Sequence, residues 1–243
     1  MRVTNRIYVL LVEGRRAGDP PNFQVKSMHI PDGFVSGPIN LATFVVSATA
    51  VGIAVSRAKK YMDEKEAPLL GVTAAFVFAA QMLNFPVAGG TSGHFLGALL
   101  AGVLLGPFNA CLVLTLVLII QALVFADGGI TALGSNIFLM GVVGGIGATY
   151  FFYGLKRLFP KTRRGFIAAV AVASWVSVVF ASATCALLLA LSGTSPLKVV
   201  LPAMVGVHAL IGVGEALITT SVISTVLAVR SDLVGAWDGG QTA

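Results

Sequence analysis

The sequence predicts an all-α membrane protein, a polytopic helical bundle with about seven transmembrane helices. The first observation behind this prediction is composition: 56% of the 243 residues are hydrophobic and only 11% are charged. A soluble domain carries about 25% charged residues, so this chain has too few to cover a water-facing surface. Disordered chains are polar and charged, so the mean hydropathy of +0.91 excludes the disordered class as well. The 28 glycines suit closely packed membrane helices.

The second observation is the spacing of apolar segments. A hydrocarbon core of about 30 Å needs roughly 20 apolar residues per helix. Seven segments come close to this length, at roughly 39–56, 68–85, 95–106, 108–126, 133–155, 165–192 and 202–229. The third is short and ends at Gly106-Pro107. It could be a tilted or partial span, which would make six spans plus a re-entrant piece.

The third observation is the distribution of basic residues, which predicts orientation. Ten of them lie in loops 57–66 and 156–164 and at Arg230, and seven spans would place all three on one side. The loops predicted on the opposite side contain a single basic residue, Lys198. By the positive-inside rule the C-terminus is cytoplasmic and the residues before the first span are outside. The net charge of +6 therefore reflects a multi-pass protein of the cell membrane, and no nucleic-acid partner is expected.

Residues 1–27 contradict this orientation, because they would place five basic residues outside. They hold only a short apolar run, too short for a signal peptide. A second methionine, Met28, opens the segment MHIPDGF. We therefore expect 1–27 to be a non-native or disordered extension, 28–230 the transmembrane domain and 231–243 a cytoplasmic tail. Either translation starts at Met28 or the extension is a genuine disordered tail.

The three histidines, His29, His94 and His208, all fall on the predicted outer side. Imidazole is a common ligand of nickel, cobalt, copper and zinc. If Met28 is the first residue, its α-amine converges with the amide nitrogen and Nδ1 of His29 on one metal in two fused chelate rings. A fourth nitrogen closes a square plane, which suits Ni(II), Cu(II) and low-spin Co(II) better than Zn(II). The alternative is that His29 merely lies in a polar loop.

Several ordered motifs resemble the CbiM/NikM family, the substrate-binding membrane subunits of energy-coupling-factor transporters for cobalt or nickel. The resemblance covers essentially residues 28–230. It rests on four stretches: MHIPDGF, FVFAAQMLNFPVAGGTSGHFLGALLAGVLLGPF (76–108), LIIQALVFADGGITALGSNIFLMGVVGG (118–145) and GVHALIGVGEALIT (206–219).

The resemblance implies that Met28, His29 and His94 bind the metal. It implies Co(II) or Ni(II) as transported substrate, no cofactor, and import that feeds cobalamin biosynthesis or nickel enzymes. The expected partners are a transmembrane coupling subunit, ATPase subunits and a small accessory membrane subunit. Many relatives have histidine where Asp127 stands, so Asp127 is either an acceptor behind a ligand, an attractor for cations or a polar loop cap.

Other polar side chains lie inside the predicted spans. Gln81 and Asn84 are three apart, which on a helix places them on one face. Glu215 is the only carboxylate well inside a span, and His208 lies seven residues before it on nearly the same face. Charged side chains in a membrane are costly and often functional. The weaker candidates for supporting the metal site are therefore Asp127, His208 and Glu215.

The expected protein is not an enzyme. It has no GxxxxGK[ST] motif to hydrolyse ATP itself. The alternatives are an intramembrane metalloenzyme, which would need a pair of the HExxH type that is missing here, and a passive metal channel, which would need weaker binding than a nitrogen cage provides.

Overall fold

The computed structural model describes residues 29–64, 66–82, 84–86 and 92–239, and these form a bundle of seven helices. The helices are α1 (Gly37–Tyr61), α2 (Glu66–Gln81), α3 (Ala98–Leu105), α4 (Pro107–Val124), α5 (Leu133–Leu158), α6 (Arg163–Leu191) and α7 (Leu197–Val229). A 3₁₀ turn, Ser231–Leu233, follows α7. Among the described residues, all helices except α2 and α3 are long and apolar enough to cross a membrane. The prediction of an all-α bundle with seven helices is thus confirmed, and five of the seven, instead of all seven, are long and apolar enough to be candidate membrane spans.

Local sequence explains where several helices begin and end. Proline lacks an N–H group and tolerates the first turn of a helix, which is where Pro38 and Pro107 lie in α1 and α4. The Thr162 hydroxyl accepts a hydrogen bond from the Gly165 amide and caps α6. Gly106 has a φ of 82°, a conformation that favours glycine, and it separates α3 from α4.

The third apolar segment does not form a full span. α3 has eight residues, about 12 Å at 1.5 Å per residue, which is far less than a bilayer core. All eight residues are buried. α3 is therefore a short internal helix surrounded by the others, in keeping with the partial span considered from the sequence.

The prediction that the second helix continues to residue 85 is wrong. α2 ends at Gln81 and is followed by a short antiparallel hairpin of β1 (Asn84–Pro86) and β2 (Ser92–His94). Asn84 is paired with His94 in this hairpin. It therefore does not share a helix face with Gln81, and the hairpin replaces the last turn of the predicted span.

The interior is closely packed around α3 and α5. The middle of α5, Phe138–Gly147, has π-helical geometry. A Cβ atom built on Gly145 would lie 3.2 Å from the Cys111 backbone nitrogen of α4, so glycine allows this close approach. α6 and α7 pack along one another. Large apolar side chains such as Leu41 and Leu210 point outward from α1 and α7, as expected for helices that face lipid.

Basic side chains gather at one end of the bundle, which we call the basic end. The Arg57 guanidinium, near the end of α1, lies 4.3 Å from the centre of the Phe108 ring at the start of α4. Arg163, at the start of α6, donates to a backbone carbonyl in the last turns of α7. Lys156 donates to the Ala236 carbonyl after α7, at 2.9 Å. The loops predicted to share one side of the membrane thus lie together.

Candidate metal centre

Two of the three predicted metal ligands come together at the end of the bundle opposite the basic end. His29 precedes α1 and His94 closes β2, 65 residues further along (94 − 29). Their imidazole ring centres are 4.9 Å apart, and the ring planes meet at 86°. Met28, the third predicted ligand, lies outside the described residues.

The imidazole of His29 is buried and held by α4. Its Nε2–H donates to Gln121 Oε1 at 2.8 Å. Burial lowers the pKa of His29 to about 4, because it disfavours the charged ring more than the bond to Gln121 favours it. The ring is therefore neutral at pH 7. Asp127 Oδ2 lies 3.9 Å from Nε2, so Asp127 is close enough to add negative potential to the site.

The backbone beside His29 is fixed by α5. The Ile30 amide donates to Asn136 Oδ1 at 3.0 Å, and Asn136 Nδ2 donates back to the Ile30 carbonyl at 3.1 Å. The Gly129 amide, in the loop after α4, donates to the same carbonyl at 2.9 Å. Sequence reasoning missed Asn136, because its partner lies 106 residues away and no local pattern indicates the pair.

Two further attachments hold the segment between His29 and α1. Asp32 accepts hydrogen bonds from the amide and hydroxyl of Thr131, at 2.8 and 2.5 Å. Partial burial opposes ionisation of this carboxyl, but the hydrogen bonds outweigh it and hold the pKa of Asp32 below its usual value. Thr194, after α6, donates its hydroxyl to the Phe34 carbonyl. The approach to His29 is thus tied to two different loops.

His94 is oriented by its own backbone. Its Nδ1–H donates to the Phe95 carbonyl at 2.7 Å, which leaves Nε2 as the nitrogen with an available lone pair. Burial and the neighbouring His29 ring, in that order, lower the pKa of His94 to about 3. Both imidazoles are therefore neutral at pH 7. Each can offer a nitrogen lone pair to a metal without first losing a proton from the ring.

Glu215 holds the backbone that carries His94. Its two carboxylate oxygens accept the amides of Leu96 and Gly97 at 2.7 and 2.9 Å. From the other side, Gln81 donates to the Leu96 carbonyl at 3.0 Å. Glu215 is 1% exposed, and the carboxylate that looked unusual in the sequence fixes the strand end instead of facing His208.

His208 lines the same cavity as the other two histidines. Its Nδ1–H donates to the Met204 carbonyl one helical turn earlier, at 2.7 Å. The cavity has a volume of about 60 Å³, enough for one or two water-sized groups. Three sulfur-containing residues also line the cavity: Met140, Cys185 and Met204.

Side chains of the described residues do not complete a metal site by themselves. Within ranges 29–64, 66–82, 84–86 and 92–239, no group of three or more histidine, cysteine, aspartate or glutamate residues is placed to hold a metal ion. Two imidazole nitrogens leave a square plane or tetrahedron half filled.

Comparisons with known proteins show what this chain is similar to. The family model described as "CbiM: Cobalt uptake substrate-specific transmembrane region" matches residues 29–233. A protein of Haloquadratum walsbyi assigned to metal transport is 42% identical over 209 residues, which are 85% of this chain and 93% of that protein. A protein of Archaeoglobus fulgidus assigned as a fused nickel transport protein, NikMN, is 40% identical over 209 residues, 85% of this chain and 68% of that one.

A solved structure shares the fold. The crystal structure of a truncated transition metal transporter superposes with a TM-score of 0.74 at 33% identity, covering 83% of this chain and 99% of that chain. The family match spans well over half of the sequence and includes both paired histidines. The chain therefore belongs to the CbiM family, as a multi-pass membrane component for the uptake of cobalt or nickel.

Proposed function

We propose that this chain is the substrate-binding membrane subunit of an energy-coupling-factor importer for Ni(II) or Co(II). The observation that carries the proposal is the pair of neutral imidazoles, buried His29 and partly buried His94, with ring centres 4.9 Å apart beside a small cavity. Family membership supports cobalt or nickel as the substrate. The metal is cargo here, so it is held tightly enough for capture and released when partner subunits act.

The proposed ligands are four nitrogens. Met28 supplies its α-amine, His29 its amide nitrogen, which releases its proton to solvent, and its Nδ1, and His94 its Nε2. Nδ1 is the ring nitrogen of His29 that can close a six-membered chelate ring with its own amide nitrogen. The Phe95 carbonyl takes the Nδ1–H of His94 and so directs Nε2 to the metal. A square plane of nitrogens favours Ni(II) and low-spin Co(II) over Zn(II).

This ligand set requires that the amine of Met28 is not part of a peptide bond. We therefore propose that the functional chain begins at Met28, by initiation there or by removal of residues 1–27. Residues 28–230 then form the metal-binding membrane domain, and 231–243 follow it on the cytoplasmic side. Without residues 1–27 the net charge falls from +6 to +3, since 11 basic and 8 acidic residues remain.

The proposed orientation places the histidines outside and the basic end inside. The positive-inside rule supports it, because Arg57, Lys156 and Arg163 gather at the basic end. Metal then enters from outside, between the segment before α1 and the β1–β2 hairpin. This sequence has no phosphate-binding loop motif, so the energy comes from separate ATPase subunits through a transmembrane coupling subunit, with a small accessory membrane subunit completing the complex. Imported metal then serves cobalamin biosynthesis or nickel enzymes.

The test compares the full 243-residue chain with one that starts at Met28, both in lipid nanodiscs. We expect the shorter form to bind NiCl₂ or CoCl₂ in calorimetric titrations and to show the absorption band of square-planar Ni(II). The full chain should bind at least tenfold more weakly, because it lacks the amine. Equal affinities would overturn the amine ligand.

Histidine variants of the shorter form complete this test. His29→Ala and His94→Ala should each remove the square-planar band, because each deletes an imidazole ligand. His208→Ala is the matched control, since it deletes a buried imidazole from the same cavity but outside the proposed ligand set. Loss of the band in the control and its survival in the other two would overturn the assignment.

A further inference from the structure

A chain of buried hydrogen bonds links His29 to the segment that carries His94. From His29, Nε2 bonds to Gln121 Oε1 at 2.8 Å. Gln121 Nε2 then donates to Gln81 Oε1 at 3.0 Å, and Gln81 Nε2 donates to the Leu96 carbonyl at 3.0 Å. Both glutamines are 0% exposed, so water does not compete for these bonds. We call Gln81 and Gln121 the glutamine relay.

The direction of every bond in the glutamine relay is set at Leu96. A carbonyl oxygen only accepts, so Gln81 must turn its NH₂ group to Leu96 and its oxygen the other way. Gln121 then turns its NH₂ group to that oxygen, and its own oxygen faces His29. A neutral imidazole next to an acceptor oxygen carries its hydrogen on that nitrogen, here Nε2.

The acceptor end of the relay is itself immobilised. Glu215 accepts the Gly97 amide at 2.9 Å, and this amide belongs to the same peptide unit as the Leu96 carbonyl, so α7 fixes the peptide that ends the relay. Leu96 is only two residues beyond His94. The same peptide therefore orients His29 from a distance and restrains His94 along the backbone, and α2, α4 and α7 all contribute to this restraint.

We propose that Gln81 and Gln121 are positioning residues for the metal, which keep His29 in the Nε2–H tautomer and tie its ring to the His94 segment. In this tautomer the lone pair lies on Nδ1, the nitrogen that chelates together with the His29 amide. A ring with its hydrogen on Nδ1 would have to lose or move that hydrogen first. The metal part of this inference rests on the proposed function, whereas the hydrogen-bond part does not.

The hydrogen-bond part is tested without metal, by ¹⁵N NMR of the histidine-labelled full chain in nanodiscs. We expect His29 to show a single Nε2–H tautomer with a slowly exchanging proton. Gln121→Met should abolish the slow exchange and yield a tautomer mixture, because it deletes the acceptor. Gln121→Glu should retain the signal, since an acceptor oxygen still faces the ring. An Nδ1–H tautomer in the wild-type chain would overturn the inference.

Gln81→Met is the decisive variant, because Gln81 does not bond to His29. We expect it to free the Gln121 amide to turn over and so to broaden or divide the His29 signal. Thr115→Val is the matched control: it removes a buried hydroxyl from α4 that bonds only within its own helix as described. A Gln81→Met variant that is destabilised but has an unchanged His29 signal would show ordinary packing and overturn the relay.

Metal affinity provides the second readout, on the chain that starts at Met28. Loss of a hydrogen-bond partner behind a metal ligand costs about 10–100-fold in affinity, and we expect such a loss of Ni(II) affinity in each single variant. The double variant Gln81→Met/Gln121→Met should lose no more Ni(II) affinity than the single variant that binds Ni(II) less tightly, because both substitutions act through one path. Multiplying losses would overturn the shared path. A wild-type chain with the Nε2–H signal but no Ni(II) binding would contradict the proposed function and support the relay.

Discussion

Replacing Glu215 with glutamine should unlock the strand end that carries His94. Glu215 offers an acceptor oxygen to each of two buried amides, at 2.7 Å for Leu96 and 2.9 Å for Gly97. Glutamine offers one oxygen and one NH₂ group, so one amide must face a donor. An unsatisfied buried donor costs about 1–3 kcal/mol. We therefore expect Glu215→Gln to lose about 2 kcal/mol of unfolding free energy.

Glu215→Ala should lose more, about 4 kcal/mol, because it leaves both amides without an acceptor. Both values are measured by denaturant titration of the purified protein in mixed micelles, followed by tryptophan fluorescence. Glu64→Gln is the matched control, because it makes the same chemical change at an exposed residue. If Glu215→Gln and Glu64→Gln unfold at the same denaturant concentration, the carboxylate does not hold the strand end and the reasoning is refuted.

Two further predictions concern acid stability and packing. The pKa values of His29 and His94 lie at about 4 and about 3 in the folded protein, below the unfolded value of about 6.5. Unfolded chains therefore bind protons first, and stability that is complete above pH 6.5 should fall by roughly 1.4 kcal/mol per pH unit for each histidine between pH 6 and 4. Denaturant titrations at pH 7.5 and 5 measure the loss, and the double variant His29→Asn/His94→Asn should flatten it; an equally steep profile would contradict the assignment. Gly102→Ala should lower the melting temperature, because its Cβ would lie 1.9 Å from Thr149 Oγ1 and overpacking costs about 1–3 kcal/mol. Gly52→Ala, which meets nothing within 4 Å, is the control and should leave the melting temperature unchanged or higher.

The sequence was sufficient for the helices because long apolar runs have few other solutions in a membrane. It also singled out His29 and His94, through the chelating position next to Met28 and through family resemblance. It could not reveal the hairpin, since strands of three residues carry no usable periodicity. Asn84 was accordingly assigned to the wrong element.

The supporting residues were harder to predict for a different reason. Gln81 and Glu215 stood out as polar groups in apolar segments, but both bond to Leu96, which lies 15 and 119 residues away along the chain. Asn136 did not stand out in this way, because it comes shortly after a polar loop and is not surrounded by apolar residues in the sequence. Contacts of this kind depend on how helices rotate against one another, and one sequence does not specify that rotation.

The bond between Glu215 and Leu96 also orders the biosynthesis of the protein. The two residues are 119 positions apart, and Glu215 lies in α7, which is synthesised after the other six described helices. Until α7 inserts, the amides of Leu96 and Gly97 face the membrane interior without their carboxylate, a costly state. A partially synthesised or truncated chain thus exposes its histidines without a rigid frame. A fixed backbone beside His94 therefore forms only once α7 has been made and inserted.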